Sequence, residues 1–267
     1  MNFEPLLARI DYRGSLECSL ATLHGLQYAF LTSVPFENLD IHLGREVKLD
    51  FDHIWYKVVE RRRGGWCYEL NELFLQLLIE LGFNVKRCAG RVILRGAGDS
   101  RDHQVSVVDL GARWLVDVGF GQFALAPLSI DSSRPQEVEG IHYLVQPERL
   151  SNGESGEPAT DFRVSMEVDN QSTGCYVFST MEIPRLAFQD RCKWLQTSAE
   201  SSFVHKRMCS KHTQAGRLTL SGNQLLLNGA RVAWVREEEY GQCLREKFGI
   251  VLTEPHWIVP LQKPVKG

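Results

Sequence analysis

Arg63-Gly64-Gly65-Trp66-Cys67-Tyr68-Glu69-Leu70-Asn71 sets two glycines and a cysteine directly before an apolar helical pattern. Leu70, Leu73, Phe74, Leu77, Leu78 and Leu81 recur at steps of three and four, which predicts one face of a helix, and Gly82 closes it as a cap. Cys67 then sits on the first turn. Unpaired backbone N–H groups and the helix dipole favour negative charge there, which biases a thiol toward thiolate, the attacking form. The glycines are expected to let the backbone turn tightly and to leave room for a substrate beside the sulfur. Taken alone, the stretch is also compatible with a plain Gly-Gly turn and a buried cysteine used as a small apolar residue.

Upstream, residues 3–33 read as helix, with Leu16, Leu20, Leu23, Leu26, Phe30 and Leu31 in one stripe. Val34-Pro35-Phe36-Glu37-Asn38-Leu39 breaks it, because Pro35 disfavours helix at the preceding residue. A second helix is expected over 51–62, with Ile54, Val58 and Val59 inward and basic residues at its dipole-favoured end. Arg63 abuts the glycines, and we expect it to pair with Glu37 and brace the turn.

Downstream of Gly82 the pattern changes to strands: Val85 to Leu94, His103 to Leu110 and Arg113 to Val118, with a polar loop over Gly96 to Asp102. Side chains alternate faces along a strand. An odd-numbered hairpin loop around Leu110-Gly111-Ala112 would therefore put His103 and Asp117 on one face, and a two-residue loop would split them. Strand-like segments follow at His142 to Gln146, Phe162 to Val168 and Cys175 to Ser179, with a polar loop over Pro147 to Asp161. Residues 186–209 read as helix with a break at Thr197-Ser198. Short strands then run over Arg217 to Leu220, Gln224 to Leu227 and Arg231 to Val235, before a helix over 237–248. Helices, then mostly antiparallel strands, then a mixed end is an α+β order, not a doubly wound sheet.

A formal charge of −3 over 267 residues gives no case for wholesale nucleic-acid binding. No run approaches the ~20 apolar residues of a membrane span. Seven cysteines at scattered spacing argue against a disulfide framework and for a reducing, cytoplasmic setting in which a free thiol can be a nucleophile. Cys209 and His212, with His205 nearby, have a metal-like spacing but lack two further ligands, so no metal is expected.

Cys67, His103 and Asp117 can be read as nucleophile, base and orienter. The thiol needs an imidazole to take its proton, and the imidazole needs a carboxylate on its other nitrogen. Asp117 lies in the apolar context Trp114-Leu115-Val116-Asp117-Val118, where an unpaired carboxylate is costly.

Val34 to Leu39, Arg63 to Asn71 and Leu115-Val116-Asp117-Val118-Gly119-Phe120-Gly121 resemble, in order and at about the same spacing, three signature blocks of the arylamine N-acetyltransferases. The resemblance extends to Leu195-Gln196-Thr197-Ser198, Ser201-Ser202-Phe203 and Phe248-Gly249-Ile250, and the length resembles that of bacterial members. It implies a Cys67-His103-Asp117 triad on a fold akin to cysteine proteases and transglutaminases. The units would be a helical domain over 1–83, an antiparallel β-barrel over 84–185 carrying His103 and Asp117, a helical linker over 186–210 and an α/β lid over 211–267. Acetyl-CoA would be the donor, a small aromatic amine or hydrazine the acceptor, and the intermediate an acetyl-cysteine reached by a ping-pong route. Phe36, Val92 and Phe120 would line the acceptor pocket. Ser100, Trp194, Ser201 and Ser202 fall where coenzyme A is met. Ser100 replaces a glycine common in the family, Trp194 another ring, and Ala199 the usual proline. The same triad would also serve a cysteine hydrolase or thioesterase, with water as acceptor, or an amide synthase of a polyketide pathway.

Overall fold

The computed structural model describes residues 2–93, 98–148, 160–168 and 171–252. The helix expected over 3–33 is two helices, α1 (Glu4–Arg9) and α2 (Leu20–Ser33). Asp11 turns left-handed after α1, and Ser19 caps α2 by accepting the Thr22 N–H at 3.1 Å. Leu16 lies between them, exposed, and leaves the stripe. Val34-Pro35 leads into a short strand, β1 (Phe36–Glu37), followed by α3 (Leu39–His42). Helix α4 (Phe51–Trp55) is capped by Asp50 and widens into a π turn over Tyr56–Glu60. Helix α5 (Cys67–Glu80) carries the glycine-cysteine motif at its start. It is buried on nearly every side from Cys67 to Leu78, so its polar residues Glu69, Asn71 and Glu72 are buried too and must find partners.

The middle of the chain forms one eight-stranded antiparallel sheet: β2 (Asn84–Val92), β3 (His103–Asp109), β4 (Arg113–Val116), β5 (Leu128–Ser129), β6 (Gln136–Val138), β7 (Ile141–Pro147), β8 (Asp161–Val168) and β9 (Gln171–Ser179). Its spatial order is β5-β4-β3-β2-β9-β8-β7-β6, and β5 packs against β7, so the sheet curls into a nearly closed barrel. Closure leaves few free edges. Val105, Leu115, Val145, Val164, Tyr176 and Phe178 belong to its apolar filling. Leu94 and most of the polar stretch over 147–161 lie outside the described residues.

The rest of the chain contributes α6 (Gln189–Thr197), α7 (Ser202–His205), α8 (Tyr240–Cys243) and a second sheet from β10 (Met208–Thr213), β11 (Gly216–Ser221), β12 (Gln224–Leu227) and β13 (Ala230–Trp234). The helical reading of 186–209 runs too far, since Met208 and Cys209 are already strand. The cause is long-range: β10 pairs with β1, Phe36 opposite Ser210 and Glu37 opposite Cys209. The order β1-β10-β11-β12-β13 thus takes its edge strand from the N-terminal segment. On the other side of β1, the Glu37 N–H donates to the Gly65 carbonyl at 2.8 Å. A Cβ on Gly64 would stand 2.1 Å from the Pro35 carbonyl oxygen, so glycine is required where these two backbones meet.

Candidate active site

Helix α5 and the β3–β4 hairpin converge at Cys67. The hairpin loop has three residues, with Asp109 opposite Arg113 and Ser106 opposite Val116. This register puts His103 and Asp117 on one face, and His103 Nε2 meets Asp117 Oδ2 at 2.7 Å, both fully buried. The chain then turns at Gly119, where a Cβ would lie 2.7 Å from Cys67 Cα and 2.8 Å from its carbonyl oxygen. The hairpin and the cysteine are therefore in backbone contact. Cys67 Sγ lies 3.9 Å from the Asp102 carbonyl, the residue just before His103. Tyr68 Oη donates to the Arg101 carbonyl at 2.7 Å and pins the same segment over the helix start.

The electrostatics differ in one respect from the sequence expectation. Burial raises the Cys67 thiol well above its ordinary value, and the negative charge of Asp117 adds to this. The backbone N–H of Tyr68 opposes them without prevailing. A lone thiolate is thus disfavoured despite the helix start. Ionisation there needs a simultaneous positive charge, and a protonated imidazole on His103 would provide it. Asp117 is set for that. Burial alone would raise its carboxyl, but the His103 ring and hydrogen bonds from Asn71 Nδ2 (2.9 Å) and the Gly119 N–H (2.9 Å) hold it below the usual range.

Asn71 joins these parts. One turn along α5 from Cys67, its Nδ2 also donates to the Gln104 carbonyl at 2.6 Å, and its Oδ1 accepts the Val118 N–H at 2.8 Å. Below the helix start lies a buried ionic network of three carboxylates and two cations. Lys57 Nζ reaches Glu69 at 2.9 Å and Asp40 at 2.7 Å, and Arg63 reaches Asp40 at 3.0 Å and Glu37 at 2.7 Å. Glu69 Oε2 also accepts the Trp66 N–H at 3.1 Å, and Glu37 Oε2 the Leu39 N–H at 2.8 Å. Burial opposes the charge on Lys57, but its carboxylate neighbours raise it and keep it protonated. Burial would raise Asp40, but Lys57 and Arg63 pull it down to about 2. Burial pushes Glu69 up to about 6 against the pull of Lys57. The network thus runs from Glu37 through Arg63 to the residue before the cysteine. The room expected beside the glycines is occupied: Pro35 faces Gly64, and Glu69 stands 3.0 Å from where a Gly65 Cβ would be. The glycines serve close backbone packing and do not open space for a substrate.

Aromatic rings wall the other side. Phe120 and Tyr176 stand 5.2 and 5.1 Å from the His103 ring. Val92, opposite Tyr176 in the sheet, shares that face. Phe36 packs on Gly121, one residue past Phe120. Tyr176 is buried, and burial together with the Asp117 carboxylate raises its phenol well above its ordinary value. Ser100 is exposed. The Trp194 ring lies 3.9 Å beneath the Arg191 guanidinium, which pairs with Asp102 at 2.6 Å. Ser201 is buried with its hydroxyl donating to the Leu195 carbonyl at 2.5 Å, whereas Ser202 is exposed. Arg87 pairs with the buried Glu72 at 2.7 Å. Cys209 and His212 are an odd number of residues apart on β10 and face opposite sides of the sheet.

Sequence reasoning missed Asn71, Lys57, Asp40, Glu69 and Tyr176. A signal existed for Asn71 and Glu69. Both are polar residues within the first turns of a helix too apolar to be solvated, and Asn71 lies four residues from Cys67, on its face.

Comparison with known proteins gives one answer. The family described as N-acetyltransferase matches residues 19–257. The arylamine N-acetyltransferase of Mycolicibacterium smegmatis is 34% identical over 95% of this chain and 94% of its own, and that of Escherichia coli K12 is 32% identical over 80% and 74%. Among solved structures, the Mycobacterium marinum arylamine N-acetyltransferase in complex with CoA superposes with a TM-score of 0.82 at 28% identity, covering 93% of each chain. Family model, sequence and fold agree over nearly the whole length, and the chain belongs to the arylamine N-acetyltransferase family.

Proposed function

We propose that this protein transfers an acetyl group from acetyl-CoA to the nitrogen of an aromatic amine or hydrazine, in two steps through an acetyl-cysteine on Cys67. The observation that carries the reading is the 2.7 Å His103–Asp117 pair held in backbone contact with Cys67 through Gly119. The CoA-bound relative supports coenzyme A as the donor's carrier.

In the first step His103 takes the Cys67 proton. The sulfur attacks the acetyl carbonyl, and first-turn backbone N–H groups, that of Cys67 among them, are donors for the oxyanion. The carbon–sulfur bond to CoA breaks, and the CoA thiolate recovers the proton from His103. In the second step the acceptor nitrogen attacks the thioester and gives its proton to His103. The amide forms, and Cys67 leaves as the thiol. Asp117 holds the ring nitrogen and stabilises the charge that the ring acquires in each step. Burial raises the thiol, so its ionisation is coupled to the arrival of the proton on the imidazole. Phe36, Val92 and Phe120 form the apolar side of the acceptor site. Among Ser100, Trp194, Ser201 and Ser202, the exposed Ser100 and Ser202 and the stacked Trp194 are free to face coenzyme A, and Ser201 shapes the turn behind them. Glu37 and Arg63 brace the cysteine loop. All seven cysteines are free thiols, which supports a reducing, cytoplasmic setting. No described helix is long and apolar enough to cross a membrane.

The test is intact mass after acetyl-CoA alone, with Cys67→Ser and Asp117→Asn in parallel. An acetyl adduct on the wild type, absent from Cys67→Ser and discharged by an aromatic amine, is the expected result. Sustained CoA release without amine would instead assign hydrolysis. No adduct and no release would remove acetyl-CoA as donor.

A further inference from the structure

His103 opens β3, opposite Gly90, so the order of the sheet ends at this imidazole and the residue before it belongs to a turn. That turn is tight: the Asp102 N–H donates to the Asp99 carbonyl at 3.1 Å, and the Arg101 N–H to Asp99 Oδ1 at 2.9 Å. It is also the segment that lies over the sulfur. The Asp102 carbonyl stands 3.9 Å from Cys67 Sγ, and Tyr68 Oη donates to the Arg101 carbonyl at 2.7 Å. A displacement of Asp102 therefore moves both the start of the strand that bears His103 and the carbonyl beside the thiol.

A second helix governs where Asp102 stands. Arg191 on α6 brings Nε and Nη2 to Asp102 Oδ1, each at 2.6 Å, and its guanidinium lies 3.9 Å over the Trp194 ring. Asp102 Oδ2 turns back onto Gly98, where a Cβ would come within 1.8 Å of it, so the carboxylate fills the space that a side chain there would need. Little of either charged group meets solvent: 9% of the Asp102 side chain and 18% of the Arg191 side chain are exposed. Burial raises the Asp102 carboxyl and Arg191 opposes it, with Asp99 the nearby like charge. Helix α6 does not depend on this pair for its place. Cys192 and Leu195, with Phe188 at the helix start, are seated in the main apolar core, and Phe188 packs on Tyr68 at 5.3 Å. The helix is the fixed partner, and the turn is the part that is held.

We propose that Arg191 and Asp102 are a positioning pair for the transfer reaction: α6, through this ion pair, fixes the turn before His103 so that the imidazole and the Asp102 carbonyl keep their places on Cys67. The proposal deepens the acetyl-transfer reading above and rests on it. Neither residue exchanges a proton or a bond with the substrate. Asp102 also acts on the sulfur at a distance. After burial and Asp117, its charge is among those that raise the Cys67 thiol, and Arg191 offsets that charge.

The experiment compares the wild type with Arg191→Met, Arg191→Lys and Asp102→Asn. It reads the Cys67 acetylation rate at saturating acetyl-CoA, the KM for acetyl-CoA, and the pH midpoint of Cys67 alkylation by iodoacetamide, a reagent small enough to need no coenzyme site. Methionine keeps a stem over Trp194 and removes the charge. The saturating rate should fall by about ten- to a hundredfold in the Met and Asn variants, the loss that a misplacement of about 1 Å brings. The Lys variant should fall between, because it keeps the charge and loses the fork. The midpoint should move up in Arg191→Met, where the Asp102 carboxylate is left uncompensated, and down in Asp102→Asn. Midpoints that do not separate, or a saturating rate unchanged in the Met and Asn variants, would assign the pair to packing alone and overturn the proposal. A rise confined to the acetyl-CoA KM would assign Arg191 to the donor and also overturn it. Should the Met variant fail to fold, the Lys and Asn variants carry the same decision. Should the wild type form no acetyl-enzyme, the acetyl-transfer reading fails, and the alkylation midpoints decide the pair by themselves.

Discussion

Lys57→Met removes the ammonium that ties the cysteine loop to the buried ionic network. Lys57 Nζ lies 2.9 Å from Glu69 and 2.7 Å from Asp40, with all three side chains almost without solvent contact. After the substitution Arg63 is the remaining cation against Glu37, Asp40 and Glu69. Methionine matches the length of the lysine stem, so the loss is of charge more than of packing. Breaking a buried pair by removing one partner costs about 3–5 kcal/mol. For a protein of this size that is roughly a 10 °C fall in melting temperature. The effect carries a pH signature. Without Lys57 the carboxyls of Asp40 and Glu69 rise, so each takes up a proton more readily in the folded state than it does in the wild type. The deficit should be largest near pH 8 and shrink as pH falls toward 5. Urea unfolding followed by tryptophan fluorescence at both pH values measures it. Lys57→Met/Glu69→Gln should recover part of the loss, because the uncompensated charge goes with its partner. A deficit below about 1 kcal/mol, or one that does not shrink on acidification, would refute the view that this network is a stabilising buried pair.

Gly119→Ala places a methyl 2.7 Å from Cys67 Cα, closer than any relaxed contact, so hairpin and helix start must separate. We expect the rate of Cys67 acetylation to fall by about a hundredfold, read by quenched-flow mass spectrometry. Asn71→Ala removes partners from the Gln104 carbonyl, the Val118 N–H and Asp117 Oδ1, all buried. It should cost about 2–5 kcal/mol in urea unfolding and lower kcat as well, since Asp117 loses a positioning bond. In the wild type, acid should act in two stages. His212, pushed down to about 4, binds its proton more tightly when unfolded, so its stabilising contribution is full above about pH 6.5 and falls from there toward 4. Asp40, held at about 2, keeps its contribution above about pH 4 and loses it toward pH 2. His212→Gln should flatten the first stage alone in a melting-temperature profile.

Local chemistry was legible from the residues themselves. The three-and-four spacing after Cys67 placed it at a helix start because helical periodicity is a property of neighbours. Strand alternation, equally local, reduced the placing of His103 and Asp117 to the parity of the loop at Leu110-Gly111-Ala112, and the observed register settled it as three residues with both on one face. Three motifs in order pointed to the family. Partnerships between distant segments were not legible. Glu37 with Cys209, Lys57 with Asp40, and Arg217 with Gly121 depend on how helices, barrel and second sheet dock, and periodicity carries no record of that. The sequence alone therefore determined which residues stand at the centre and on which elements. The tertiary structure decided their state: burial raises the Cys67 thiol against the helix dipole, and docking assigns Gly64 and Gly65 to backbone contact and ties Arg217 to the Gly121 carbonyl. The reason is physical. Desolvation and close approach are set by everything that surrounds an atom, while sequence neighbours supply only part of those surroundings.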